Sequence, residues 1–345
     1  MNSLQDEIEG LRRKCIGCGK CSKVCPSLKH GGCDPMEIMV GNDEEIIHCI
    51  GCGNCSKVCR RSDPYTVMRD LLCLAKGVHV SEVFKETGYA MPQVDMPAKT
   101  ELIPEWSGDD VQIMPGCVIK CKAPYVEYAT AVAMKDIGIG CKELPGNTCC
   151  MHPIQFCEMT EFERRGYRKA MGDTAGEKML VTLCGGCSDE LLESGVDATH
   201  IVSFLHRHID SLPRFGKPLK VAIEPGCSKS VSYDEMRAVA ERMGCDVVNI
   251  KRGCCGKYAD VSEGLMKDRE AECQGADVIV VGCPMCLVRY DDYPGGLPVV
   301  HVSELVAMAA GDFSTLRHHK IAMKMPWRVR LDLCHGKSLN IIIDC

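Results

Sequence analysis

Aromatic residues make up only 5% of this 345-residue chain, so packing falls on Val, Ile, Leu and Met. No apolar run approaches the roughly 20 residues that a membrane-spanning helix requires. Stretches such as Ala276–Val281 are far too short, which excludes a direct span and leaves membrane attachment to another subunit. Interleaved basic and aromatic patches are also missing, and the formal charge of −6 argues against nucleic acid as a general partner. No flavin or nicotinamide fingerprint sits at a strand-to-helix junction, so a flavin would belong to a partner. The first ten residues are polar and acidic, with no secretory leader before the first cysteines. What the chain has in excess is cysteine, 27 in all, alongside 46% hydrophobic residues. Disulfide scaffolds are usually short secreted chains without a core, whereas this one can bury one large core or two to three smaller ones. The expectation is a cytoplasmic protein whose thiolates are held by metal.

Eight cysteines follow one rule. Cys15, Cys18, Cys21 and Cys25 read C-x2-C-x2-C-x3-C, and Cys49, Cys52, Cys55 and Cys59 repeat it. In the two-run ferredoxin pattern three thiolates of a run meet one [4Fe–4S] cube and the fourth ligand comes from the other run. Cys15, Cys18, Cys21 and Cys59 are therefore assigned to one cluster, and Cys49, Cys52, Cys55 and Cys25 to the other. Pro26 follows the first run as that pattern expects, whereas Arg60 replaces the second proline. Structural zinc is the plain alternative, but two tandem four-cysteine runs at these gaps are hard to place on tetrahedral sites. Gly17, Gly19, Gly51 and Gly53 suit a backbone wrapped tightly around a cluster.

Ten more cysteines follow a second rule. Cys117, Cys149, Cys150, Cys184 and Cys187 are echoed by Cys227, Cys254, Cys255, Cys283 and Cys286, at offsets of 110, 105 and 99 residues. Each set begins after a β-like run, Val-Gln-Ile-Met-Pro-Gly-Cys117 against Val-Ala-Ile-Glu-Pro-Gly-Cys227. Each continues through a helix expected over 123–137 or 233–243, and a second strand closes on C-x2-C. The segments His200–Leu205 and Val299–Leu305 are alike as well. An internal duplication with an α/β layout follows, its cysteines on loops at the carboxyl ends of strands. Short helices are expected over 4–14 and 64–75, with a connector over 77–110. Five thiolates per half suit an expanded or fused cluster, or a thiolate that leaves its iron; an ordinary cube with a spare cysteine, or zinc, stays open on spacing alone.

Pro115-Gly116-Cys117, Cys149-Cys150 and Cys184-Gly-Gly-Cys187, with Pro225-Gly226-Cys227, Cys254-Cys255-Gly256 and Cys283-Pro-Met-Cys286, resemble the two CCG modules of the heterodisulfide reductase catalytic subunit. The front section resembles its ferredoxin-like partner, so residues 5 to 311 are similar to the form in which both are fused. The resemblance implies a mostly helical ferredoxin-like domain with two clusters over 1–76. A connector (77–110), a first CCG module (111–212), a second (213–311) and a C-terminal extension (312–345) would follow. It implies two cubane and two noncubane [4Fe–4S] clusters, the latter on Cys117, Cys149, Cys150, Cys184 and Cys187 and on Cys227, Cys254, Cys255, Cys283 and Cys286. The noncubane pair would face each other across a small disulfide, the mixed disulfide of coenzyme M and coenzyme B, and split it. One departure stands out: Met151 follows the first cysteine pair where the family has glycine, which demands a changed backbone or pocket wall if that glycine has positive φ.

The implied substrate bears sulfonate, carboxylate and phosphate, for which Lys120 and Lys229 are candidate contacts beside Lys122, Lys257 and Arg289; surface lysines are the plain alternative. His152 is a candidate proton donor or outer hydrogen-bonding group. Cys121, Cys141, Cys157, Cys245 and Cys273 read as non-ligands, Cys141 and Cys245 as small buried thiols at equivalent helix-to-strand junctions, and Cys33, Cys73, Cys334 and Cys345 show no ligand spacing. The implied partner is an electron-donating flavin and iron–sulfur protein, with a hydrogenase or formate dehydrogenase behind it. Two rivals share this build: a redox subunit acting on another small substrate or a quinone-linked partner, and a noncatalytic electron-transfer subunit.

Overall fold

The structure, a computed structural model, describes residues 4–91, 97–146, 148–152, 161–256 and 261–323, with the side chains of 76–81, 161 and 262 excepted. Cys157, Lys257, Cys334, Cys345 and the apolar Ile341–Ile343 lie outside the described residues.

The front section is helical. Helix Leu4–Arg12 carries Asp6 and Glu7 in its first turn and packs on the long helix Pro64–Thr87. Asp63 caps that long helix, accepting the Thr66 N–H at 3.3 Å, and Pro64 occupies the first turn, where its missing N–H costs nothing. The helix runs twelve residues beyond the expected end at residue 75, into what the sequence reads as connector. No proline interrupts it, and it stops at Gly88, whose left-handed φ of 74° closes the last turn.

Two four-stranded parallel sheets follow. In the first, β1 (Val111–Met114), β2 (Cys141–Glu143), β3 (Met179–Thr182) and β4 (Ala198–His200) lie in the order β2-β1-β3-β4. In the second, β5 (Lys220–Glu224), β6 (Asp246–Val248), β7 (Val278–Val281) and β8 (Val299–His301) repeat that order as β6-β5-β7-β8. Val-Ile-Val-Val of β7 is buried throughout, as a parallel strand covered on both faces should be. The helix expected over 123–137 is Tyr125–Asp136, with a separate short helix Cys117–Lys122 before it and Pro124 between the two; Tyr233–Arg242 matches its expected span closely.

The two units exchange equivalent contacts. Helix Tyr125–Asp136 of the first packs on Val302–Ala309 of the second, and Ile201–Arg207 of the first on Tyr233–Arg242 of the second. A continuous apolar core including Ile113, Val202, Val280 and Leu305 runs through both. This pairing directs the carboxyl ends of the two sheets toward a common seam.

Candidate redox site

Each of two cavities in the front section is lined by thiols of both runs. A cavity of about 200 Å³ is lined by Cys15, Cys18, Cys21 and Cys59, with Arg60 and Arg61 at its edge. A second is lined by Cys49, Cys52, Cys55 and Cys25. Gly17, Gly19, Gly51 and Gly53 all have φ between 63° and 69°, conformations that let the loop turn inside its own thiols. Arg60 costs the second run no geometry: Cys59 holds φ −85° and ψ 124°, beside −84° and 113° for Cys25. Cys33, which spacing alone does not single out, is buried in the second cavity and interacts with both Cys25 and Cys49.

The ten remaining thiols form one row. Cys149 interacts with Cys117 and Cys150, Cys150 with Cys187, and Cys187 with Cys184. The same sequence of partners recurs from Cys283 through Cys286 and Cys255 to Cys254 and Cys227. Cys184 and Cys283, the first cysteines of the two C-x2-C motifs, meet at the seam and join the halves. The row therefore reads the same from either end under the duplication. Cys187 and then Cys283 push the Cys184 thiol down to about 5, while Cys187 itself is pushed up, chiefly by Cys150.

The backbone leaves room for what such thiols hold. Gly116 and Gly226 have φ of 82° and 76°, and a Cβ on them would stand 2.8 Å from Cys187 Sγ and 3.2 Å from Cys286 Sγ. Among the described residues no three ligating side chains meet closely enough for a single metal ion, where zinc–sulfur bonds of about 2.3 Å are needed. Each half thus offers five soft thiols, a donor type that iron–sulfur groups take, with glycine where a side chain would collide.

Met151 settles how the missing glycine is accommodated. Its φ is 58°, beside 66° for Gly256, so the backbone is kept and methionine bears the strain. Both residues use it alike: the Met151 N–H donates to Cys149 Sγ at 3.3 Å and the Gly256 N–H to Cys254 Sγ at 3.5 Å. Arg168 braces the turn, donating to the carbonyls of Cys150 (2.7 Å) and Met151 (3.3 Å) while pairing with Glu190. Arg269, its counterpart, pairs instead with buried Glu224, whose other oxygen accepts the Gly226 N–H at 3.0 Å. In the first half Met114 stands where Glu224 does. The two thiol sets are therefore alike in layout and unlike in surrounding charge.

His152 lies at the seam, 3.1 Å from Glu190; burial opposes its charge, but Glu190 pushes it up to about 9. Lys120 is held by Glu127 and Glu143, both at 2.7 Å, inside the first unit. Lys229 is exposed and contacts Glu193 at 3.1 Å. Cys121, Cys141, Cys245 and Cys273 are buried, which pushes each thiol up to about 11 or 12.

The front section docks on the second unit. The carbonyl of Ile50, between two ligand positions, lies 4.0 Å from Cys254 Sγ, and Ile50 packs with Leu265. Lys29 and His30 reach Asp268 on the same helix, Ser262–Glu272.

Fold and site together define an iron–sulfur redox protein in which a two-cluster electron carrier abuts a duplicated thiol-rich unit. Residues 8–60 match the family described as 4Fe-4S dicluster domain. The chain is 24% identical to one component of the ferredoxin/F(420)H(2)-dependent CoB-CoM heterodisulfide reductase of Methanosarcina acetivorans, over 57% of its own length and 87% of that protein. It is 23% identical to the corresponding component of the ferredoxin:CoB-CoM heterodisulfide reductase of Methanosarcina mazei, over the same shares. With one component of the fumarate reductase (CoM/CoB) of Methanothermobacter marburgensis it shares 22% identity over 86% of this chain and 61% of that one. The front section thus matches a two-cluster iron–sulfur family, and the chain is similar to components of heterodisulfide reductases. Among the described residues no helix is long and apolar enough to cross a membrane.

Proposed function

We propose that the protein reduces the mixed disulfide of coenzyme M and coenzyme B to two thiols, taking electrons one at a time through its front section. The observation that carries this reading is the meeting of Cys184 and Cys283, which turns two five-thiol sets into one site. The reaction consumes one disulfide, two electrons and two protons. Two cubane clusters in front and a noncubane cluster on each five-thiol set would supply single electrons on both sides of one S–S bond.

The chain's own residues do the rest. The N–H groups of Met151 and Gly256 donate to sulfur and favour its anionic form. Arg168 fixes the first cysteine pair, and Arg269 with Glu224 fixes the second turn. His152, oriented by Glu190, places a ring nitrogen beside the seam where a leaving thiolate would take up its proton. The contact between Ile50 and Cys254 supports the second unit as the point of entry for electrons. The donor would be a flavin and iron–sulfur protein docking on the far side of the front section, in the cytoplasm.

A second reading rests on the alignment with the fumarate reductase (CoM/CoB) component, which spans both front section and duplicated unit. There the two coenzyme thiols would be oxidised and electrons would leave through the front. Anaerobic assays with the purified protein separate the two. Reduced viologen should be oxidised by the heterodisulfide with two thiols formed per two electrons. Viologen reduction by the paired thiols, with no measurable forward reaction, would favour the second reading, and neither activity would remove both.

A further inference from the structure

His200 and His301 occupy the last positions of β4 and β8, equivalent places in the two units, and they are 2% and 0% exposed. Each is also the N-cap of the helix that follows, an unusual residue there. His200 Nδ1 accepts the Val202 N–H at 3.2 Å, and His301 Nδ1 accepts the Ser303 N–H at 3.3 Å. A ring nitrogen that accepts carries no proton, so in each ring the hydrogen of the neutral imidazole sits on Nε2. Nε2 of each points out of its own unit and into the other.

His301 Nε2 donates to the carbonyl of Leu183 at 3.1 Å, the residue immediately before Cys184. The His200 ring faces Gly282, immediately before Cys283: a Cβ on Gly282 would lie 3.5 Å from His200 Cε1. His200 Nε2 is buried and makes no hydrogen bond among the described residues. The His301 arm is anchored further back. Glu304 accepts the His301 backbone N–H at 2.8 Å and is itself held by His319 at 2.9 Å. Cys184 and Cys283 are the two thiols that meet across the seam. Each histidine thus addresses the peptide that positions the opposite unit's seam thiol.

We propose that His200 and His301 are reciprocal positioning residues that set the distance between the two five-thiol sets. His301 is the closed arm and His200 the open one. Neither touches a reacting atom; His301 acts through the carbonyl of Leu183 and His200 through its packing on Gly282. The proposal rests on the reading that each set holds its own cluster.

His301→Asn separates capping from bridging, because asparagine is a strong N-cap acceptor but too short to reach Leu183. His301→Gln keeps a donor of suitable length and weakens the cap. In the loaded full-length protein His301→Asn should retain wild-type iron content and the front-section spectrum. Amide exchange of the peptide over 180–188 should accelerate about tenfold, the effect of orphaning one buried carbonyl. The magnetic interaction between the two thiol-set signals should weaken, with His301→Gln restoring most of it and His200→Asn having the smaller effect. Unchanged exchange and unchanged interaction in His301→Asn, or a Gln variant as impaired as the Asn variant, would overturn the proposal. If wild-type protein lacks two such signals while the exchange change still appears, the cluster reading fails and the bridge stands.

Discussion

Met151 shows how one residue can keep a conformation that suits another. A left-handed φ costs a non-glycine residue roughly 1–2 kcal/mol, while truncating a fully buried methionine costs about 2–5 kcal/mol. Packing therefore outweighs strain, and Met151, fully buried, is retained. Stability by denaturant titration should fall in the order wild type, Met151→Gly, Met151→Ala, because alanine loses the packing and keeps the strain. The Ala variant should sit about 1 kcal/mol below the Gly variant; the reverse order would show that the positive φ carries no strain. At His319 the controlling effect is charge. Burial opposes its protonation, but Glu304 and Asp291 push it up to about 10, with the Tyr125 ring packed alongside. A raised folded value stabilises the protein fully below the unfolded value of about 6.5 and loses that contribution as pH rises toward 10. Thermal melts should show a decline over that window that is flattened in His319→Gln.

Among the elements, Gly88 does two tasks. Its left-handed φ ends the long helix, and its carbonyl accepts the Cys149 N–H at 2.9 Å, tying that helix to the first cysteine pair. A Cβ there would also stand 3.1 Å from Thr148. Gly88→Ala should cost roughly 1–2 kcal/mol and raise exchange of the Cys149 amide, measurable together by denaturation and hydrogen exchange. The strands were legible because Val-Gln-Ile-Met and Val-Ile-Val-Val end in cysteine, and the duplication was legible because ten cysteines recur in order. The helix beyond residue 75 was not, since its sequence lacks apolar periodicity and its stop is a single glycine. Nor were Arg168, Glu190 and Arg269, which act through contacts between segments distant in sequence. His200 and His301 did leave a signal, standing at the same place in both repeats, but only the folded seam shows what they face.

At the scale of the whole molecule, each front-section cavity takes thiols from both runs, and Ile50 of the second cavity lies against the second unit. The Lys29–Asp268 pair at that junction is exposed on both sides, so solvent screens it. The apolar contact of Ile50 and Leu265 is buried and should dominate. Asp268→Asn is therefore expected to leave electron transfer into the thiol-rich unit nearly unchanged. Leu265→Asp should slow it at least tenfold with iron content intact, as stopped-flow reduction would show. Equal effects from the two would place the junction's strength in charge instead. Across the seam, the halves share thiol order and backbone angles but differ at Met114 against Glu224 and Met151 against Gly256, so their centres should titrate at separate potentials.

The central claim is that two thiol sets act on one disulfide. Its most direct test is electron paramagnetic resonance of the anaerobically purified protein, carrying about 16 iron and 16 sulfide, oxidised with and without coenzyme M. The account predicts a signal that appears only with the thiol and is selectively disturbed by Cys150→Ser or Cys255→Ser. No thiol-dependent signal, together with no heterodisulfide reduction by reduced viologen, would contradict it.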